Sequence, residues 1–287
     1  MGPMIRARLS PLAAVSGLLL ALSSLTVAAK PVLYPKLKSS SVLGVDQSDS
    51  SVLYSRRADV AAPIASITKL MTSLVVLDAK QPLDEPITIT GAETDLPRGG
   101  VSRLSVGTVL TRGDLMHLAL MSSENRAAHA LGVSYPGGVP ALVRAMNAKA
   151  AALGMTSAHF VDPTGLSSDN VASPEDLSKL VMAASRNEHI REYSTDPSYT
   201  VRVHRHLVEF HNTDNLVKNP GWNIIVQKTG YITEAGKCLV LEAVIRGRNV
   251  VIVLLDSAGR LTRVADAMRV KSWMEASAAR PMQVSMR

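Results

Sequence analysis

Residues 222–256 read WNIIVQKTGYITEAGKCLVLEAVIRGRNVVIVLLD. Three runs rich in β-branched residues, 222–232, 237–245 and 249–256, are separated only by the short connections TEAG and RGR. Connections this short join antiparallel neighbours, so the stretch predicts a three-stranded meander. Upstream, SVLGVDQSDSSVLYSRR (41–57) sets apolar runs at 42–45 and 52–54 around the turn formers Asp46–Ser50. That pattern predicts a β-hairpin, which can join the meander in one sheet covered by helices. A final helix over about 259–276 places Leu261, Val264, Ala265 and Met268 on one face.

The chain between hairpin and meander is mostly helical in period. PIASITKLMTSLVVLDA (63–79) carries Leu70, Met71, Leu74, Val75 and Leu77 at helical spacing, beginning at Ser66. Further helical runs fall at 112–121, 125–132 and 140–153, the last closed by Gly154. SPEDLSKLVMAASR (173–186) has Ser173 as N-cap, Pro174 in the first turn, and Glu175 and Asp176 complementing the dipole. Residues 81–110 read as loops with short strands, and 199–210 as a strand pair. The fold class expected is α+β, an antiparallel sheet flanked by helices with an all-helical subdomain.

Length and composition set the bounds. The 287 residues are 46% hydrophobic and 19% charged, an ordinary globular balance for one large domain or two small ones. Arg6 and Arg8, the apolar run at 12–25 and the small residues Val27, Ala28 and Ala29 predict a signal peptide over 1–29. A mobile lead-in over 30–41, a domain over 42–276 and a tail over 277–287 complete the expected organisation. Cleavage after Ala29 removes two arginines and no acids, so the net charge falls from +7 to +5. A basic protein of this kind suits an anionic polymer. No basic run is interleaved with aromatics, so nucleic acid is not expected as a partner. No apolar run beyond the signal is long enough to span a membrane. The single cysteine, Cys238, lies in an apolar run and reads as a small core hydrophobe. His204 and His206 would share one face of a strand, yet with His211 they lack a completing Cys or acid at ligand spacing, and no phosphate loop occurs, so neither metal nor cofactor is expected.

Three short motifs carry chemistry. Ser66 and Lys69 are three residues apart, on one face of a helix, where an amine kept neutral by burial and nearby positive charge can take a hydroxyl proton. Alone, such a serine is usually a helix cap. Ser123, Glu124 and Asn125 fall between two helical runs and read otherwise as a turn. Lys228, Thr229 and Gly230 lie inside a strand, where a lysine is ordinarily an outward-facing or edge residue, and a glycine marks a bulge or a close approach. Together, S-x-x-K, S-x-N and K-T-G in that order form the signature shared by β-lactamases and penicillin-binding proteins.

On these motifs the chain resembles the penicillin-binding proteins of low molecular mass, the serine D-alanyl-D-alanine peptidases of bacterial cell walls. The strings APIASITKLMT (62–72), SSEN (122–125), FVDPTGLSSDNVASPEDLSKL (160–180), HNTDNLVKNPGW (211–222) and QKTGYITEAG (227–236) carry the likeness over about 42–275. The resemblance implies a β-lactamase/transpeptidase-like fold with its site between the sheet and the helical subdomain. It also implies roles. Ser66 is the nucleophile, Lys69 its base, and Ser123 the relay to the leaving amine. Asn125 binds the substrate amide, Lys228 supplies positive charge that helps keep Lys69 neutral and attracts the substrate carboxylate, and Thr229 hydrogen-bonds that carboxylate. The N–H groups of Ser66 and Tyr231 form the oxyanion hole, with Gly230 letting substrate lie against the strand.

Within that family, the short sequence after residue 276 and the string KTGYITEAGKCLV point to the endopeptidase branch, periplasmic and acting on D-alanyl cross-bridges between peptidoglycan stem peptides. β-Lactams are expected as covalent inhibitors. A D-alanyl-D-alanine carboxypeptidase is the alternative, and a β-lactamase or a non-catalytic penicillin-binding sensor a second. An efficient β-lactamase needs a deacylating acid between the second and third motifs. The local candidates Asp162, Asp169 and Glu175 fit no matching pattern.

Overall fold

The computed structural model describes Gly2 and residues 34–93, 102–259 and 261–276. Apart from Gly2, the expected signal peptide lies outside the described residues, as does the tail over 277–287. In chain order the strands are β1 (Ser39–Asp46), β2 (Val52–Arg56), β3 (Ala62–Pro63), β4 (Pro86–Thr88), β5 (Val109–Thr111), β6 (Val171–Ala172), β7 (Ser198–Val203), β8 (His206–His211), β9 (Ile224–Ile232), β10 (Gly236–Ile245) and β11 (Arg248–Ser257). The helices are α1 (Thr68–Asp78), α2 (Arg112–Met121), α3 (Asn125–Val133), α4 (Gly138–Ala152), α5 (Pro174–Ala184), α6 (Glu188–Thr195) and α7 (Thr262–Ala276).

The main sheet has the order β2-β1-β11-β10-β9, every neighbouring pair antiparallel. The hairpin from the start of the chain thus joins the late meander, as the sequence predicts. Val250–Leu255 of β11 are all fully buried, so the central strands are covered on both faces and lose the alternation of a half-exposed strand. Helices α5 and α7 both pack on the sheet. The remaining helices gather around α1, whose first nine residues, Thr68–Val76, are all buried. A helix buried on every side needs no polar face. The helical body is closed by real caps. Thr111 and Asp114 form a capping box on α2, and Ser173 accepts from Asp176 N–H on α5, each orphan N–H gaining a partner.

Four expectations are corrected. Strand β1 starts at Ser39, inside the expected lead-in, because Asp266 holds its first residues. Oδ2 of Asp266 accepts from Lys38 N–H at 2.8 Å, Ser39 N–H at 2.7 Å and Ser39 Oγ at 2.8 Å. For the same reason α7 buries Asp266, Ala267, Val270 and Met274, whereas Leu261 is 65% and Met268 47% exposed. Polar anchoring, invisible to an apolar pattern, sets that helix's rotation. Third, α1 begins at Thr68, and Ser66 sits before it in a 3₁₀ turn, Ala65–Ile67. Last, His204 occupies the β7–β8 turn with φ 52°, its Nε2 2.9 Å from Ser105 Oγ, so it does not share a strand face with His206.

Candidate active site

Ser66 is placed by its neighbours' backbones. Ala65 has φ 49°, and Ile64 N–H donates to Asn170 O at 3.0 Å. Two glycines enclose the turn. A Cβ on Gly165, which has φ 81°, would lie 1.9 Å from Ala65 O. A Cβ on Gly230 would lie 2.8 Å from Ile64 O and 3.3 Å from Ser66 N. Only residues without a side chain let the 165 loop and strand β9 close on the serine turn together.

Lys69, the second residue of α1, is fully buried and makes three hydrogen bonds. Nζ donates to Ser66 Oγ at 2.8 Å, Asn125 Oδ1 at 2.8 Å and Thr164 O at 2.6 Å. Burial pulls its pKa down to about 7, against the opposing fields of Asp162 and Glu124. An amine that titrates there is neutral in a large fraction of molecules at neutral pH, and so is able to accept a proton.

The α2–α3 corner brings Asn125 to this amine. Ser122 and Glu124 N–H groups both reach Leu118 O at 3.1 Å, with Ser123 between them at φ 60°. Glu124 then caps α3 by accepting from Ala127 N–H at 3.1 Å. A small polar residue tolerates the left-handed conformation at such a corner.

Strand β9 is the free edge of the main sheet. Gln227 N–H turns away from β10 to Ser194 Oγ at 3.4 Å, so by the strand's period of two the polar backbone groups of Thr229 and Tyr231 face the same open edge. Lys228 shares a face with Gly230 and is fully buried, not outward-facing, with Nζ donating to Thr229 O at 3.0 Å. Its pKa is lowered well below the ordinary lysine range, chiefly by burial and then by the like charges of Lys69 and Arg263, with Asp214 opposing. The two amines are close enough for the charge of each to disfavour that of the other. Burial is the largest cause of the low Lys69 pKa, and the nearby Lys228 amine disfavours the same proton whenever it is itself charged.

The structure joins Ser66, Lys69 and Asn125 directly, and seats Gly230 against Ser66. Ser123 and Tyr231 enter through their chain neighbours Asn125 and Gly230, the Tyr231 ring being 57% exposed beneath Lys237 Nζ at 4.0 Å. Thr229 is held by a residue the motif reading missed: Thr213, whose Oγ1 lies 2.6 Å from Thr229 Oγ1. Thr213 N–H also donates to Met121 O at 3.1 Å, tying the end of α2 to β9. Thr164 and Gly165 were likewise missed. The adjacent T-G pair in DPTGL is the only local signal of a backbone placed against another segment.

The three acids weighed as deacylating groups divide. Both oxygens of Asp162 are occupied by its own loop, while Asp169 and Glu175 are exposed. Cys238 is buried, its thiol pushed up to about 11 by burial, and behaves as a core residue. Among the described residues, no helix is long and apolar enough to cross a membrane.

Comparisons with known proteins agree with this geometry. The family model described as D-alanyl-D-alanine carboxypeptidase matches residues 26–259. A D-alanyl-D-alanine endopeptidase of Pseudomonas aeruginosa is 49% identical over 245 residues, covering 85% of this chain and 79% of that protein. One from Escherichia coli is 42% identical over 266 residues, covering 90% and 84%. The crystal structure of a Streptomyces DD-transpeptidase superposes with a TM-score of 0.80 at 27% identity, over 85% of this chain and all of that one. With a serine and a buried amine in contact and a family match spanning most of the sequence, the chain belongs to the D-alanyl-D-alanine carboxypeptidase family of serine peptidases.

Proposed function

We propose that the protein is a serine D,D-endopeptidase that hydrolyses D-alanyl cross-bridges between peptidoglycan stem peptides through a Ser66 acyl-enzyme. The observation that carries this is the 2.8 Å contact from Lys69 Nζ to Ser66 Oγ, made by an amine whose pKa burial has brought to about 7.

The steps follow from the groups present. The edge of β9 receives the substrate as an added strand. Its carboxylate docks against Lys228 and the Thr229 hydroxyl, and Asn125 takes its amide. That carboxylate favours the protonated form of Lys228, whose field then lowers the proton affinity of Lys69. Ser66 Oγ attacks the D-alanyl carbonyl carbon as neutral Lys69 takes its proton. The N–H groups of Ser66 and Tyr231 hold the oxyanion, a contribution of about 3 kcal/mol per donor in comparable sites. Ser123 passes the proton on to the leaving amine as the C–N bond breaks. Water then attacks the ester carbonyl as Lys69 takes its proton, and Lys69 returns that proton to Ser66 Oγ as the C–O bond breaks.

Support for cross-bridge cleavage comes from the two endopeptidase relatives at 49% and 42% identity. The cross-bridge leaving group carries a carboxylate much like that of a terminal D-alanine, so carboxypeptidase action, the activity the family is described by, is the second reading. β-Lactams are covalent inhibitors in either case. The engagement of Asp162 by its own loop argues against fast deacylation. A periplasmic location is supported by the signal-like N-terminus and by the substrate.

The test is intact mass after incubation with benzylpenicillin. A stoichiometric adduct that persists for minutes in the native protein and is absent in Ser66→Ala supports the acyl-enzyme. Cross-linked muropeptides cut to monomers, in preference to pentapeptides trimmed by one residue, identify the endopeptidase. An intact protein and intact penicillin would overturn the reading, and destroyed penicillin with no adduct would indicate a β-lactamase.

A further inference from the structure

Each of the two fixed acceptors on Lys69 is itself positioned by a carboxylate. Thr164 O is one. Asp162 holds it from behind, Oδ1 accepting from Thr164 N–H and Oγ1, both at 2.6 Å, and from Gly165 N–H at 2.8 Å. Oδ2 of Asp162 accepts from Ser167 N–H and Asn170 Nδ2, both at 3.0 Å. Asn125 Oδ1 is the other. It belongs to the first residue of α3, and the helix start is fixed by Glu124, which is only 8% exposed and caps Ala127 N–H. The two carboxylates thus reach the amine from separate segments, the 162–170 loop and the α2–α3 corner.

We propose that Glu124 and Asp162 are positioning residues for catalysis, which hold the acceptors of Lys69 in place and whose negative charges set the pH at which that amine becomes a base. The inference rests on Lys69 acting as the base for Ser66. The charged groups around the amine are these two acids and, across the cleft, Lys228 of β9, backed by Arg263 at the start of α7 and Asp214 beyond β8. The acids oppose the effect of burial. Without them Lys69 would lose its proton at lower pH, and the free enzyme would be active further into acid. Their presence keeps the amine charged in acid, and so ties acylation to near-neutral conditions.

The sign of this effect separates it from a structural one. Damage to the site slows acylation at every pH, whereas removal of an acid that supports the ammonium accelerates it in acid. The variants are Glu124→Gln, in which the amide oxygen still accepts from Ala127 N–H, and Asp162→Asn. The readouts are the second-order rate of acylation by benzylpenicillin from pH 5 to 9, and the titration of the Lys69 Cε resonance by NMR in protein carrying ¹³C-lysine. We expect the acidic midpoint to fall by about one pH unit in each variant, so that Glu124→Gln acylates about fivefold faster than the native protein at pH 6. An Asp162→Asn protein that fails to fold leaves the decision to Glu124→Gln. Unmoved or raised midpoints would overturn the proposal. A lowered Lys69 midpoint in a protein that penicillin does not acylate would uphold the electrostatic assignment and overturn the catalytic role of Ser66 and Lys69.

Discussion

The contact between Lys69 and Ser66 depends on residues that supply space as much as on those that supply chemistry. At Gly165 a methyl group meets Ala65 O at 1.9 Å in a conformation, φ 81°, that L-residues rarely adopt. Gly165→Ala is therefore expected to cost about 3 kcal/mol or more, read as a fall in the urea midpoint with loss of penicillin acylation. At Gly230 the nearest backbone atom is 2.8 Å away. There the expected outcome of alanine substitution is a smaller stability loss but at least about a tenfold drop in acylation rate, since β9 must back away from the serine turn. Thr213→Val tests a different link. It removes the hydroxyl that orients Thr229, and should raise the KM for a carboxylate-bearing substrate severalfold while leaving acylation by a saturating probe less affected. Titration also belongs at this scale. The folded pKa of Lys69, about 7, lies below its unfolded value of 10.5. Protons are then held more tightly by the unfolded chain between those values, so this residue's contribution to stability improves as pH rises from 7 towards 10.5. Acylation by the free enzyme should rise through the same lower midpoint.

Among the elements, α7 and β1 show polar anchoring deciding what apolar patterning left open. Asp266 is fully buried and serves four groups, three of them at the start of β1 and the fourth Arg269 Nη1 at 2.6 Å. Asp266→Ala leaves these donors facing a void. We expect a loss of about 3 kcal/mol, with faster hydrogen exchange at the first residues of β1 as the local signature. The capped helices behave differently. Ser173 reads as an N-cap in the sequence and is found as one in the structure, because a cap uses only neighbours within three or four residues.

For the whole molecule, the site is a seam. β9 belongs to the sheet, while α1 and the α2–α3 corner belong to the helical body, and the links between them include Gly230 against Ser66 and Thr213 between Met121 and Thr229. A ligand bonded to Ser66 and lying on β9 adds a further link. Benzylpenicillin should therefore raise the melting temperature by several degrees in the native protein and leave Ser66→Ala unchanged, an effect measurable by thermal shift.

The sequence by itself determined the hairpin, the meander and the helix capped by Ser173, and it singled out Ser66, Lys69, Asn125, Lys228, Thr229 and Gly230 as candidate site residues. Each of these rests on local period, turn chemistry or a short motif. Tertiary structure alone decided that Lys228 is buried where a strand lysine ordinarily meets solvent. It also decided that burial is the largest cause of the low Lys69 pKa, that Thr164 O and Thr213 lie against the candidate site residues, and that Asp266 rotates α7. These are contacts between segments far apart in the chain, and desolvation depends on everything packed around a group. Neither quantity has a local period for a sequence to display.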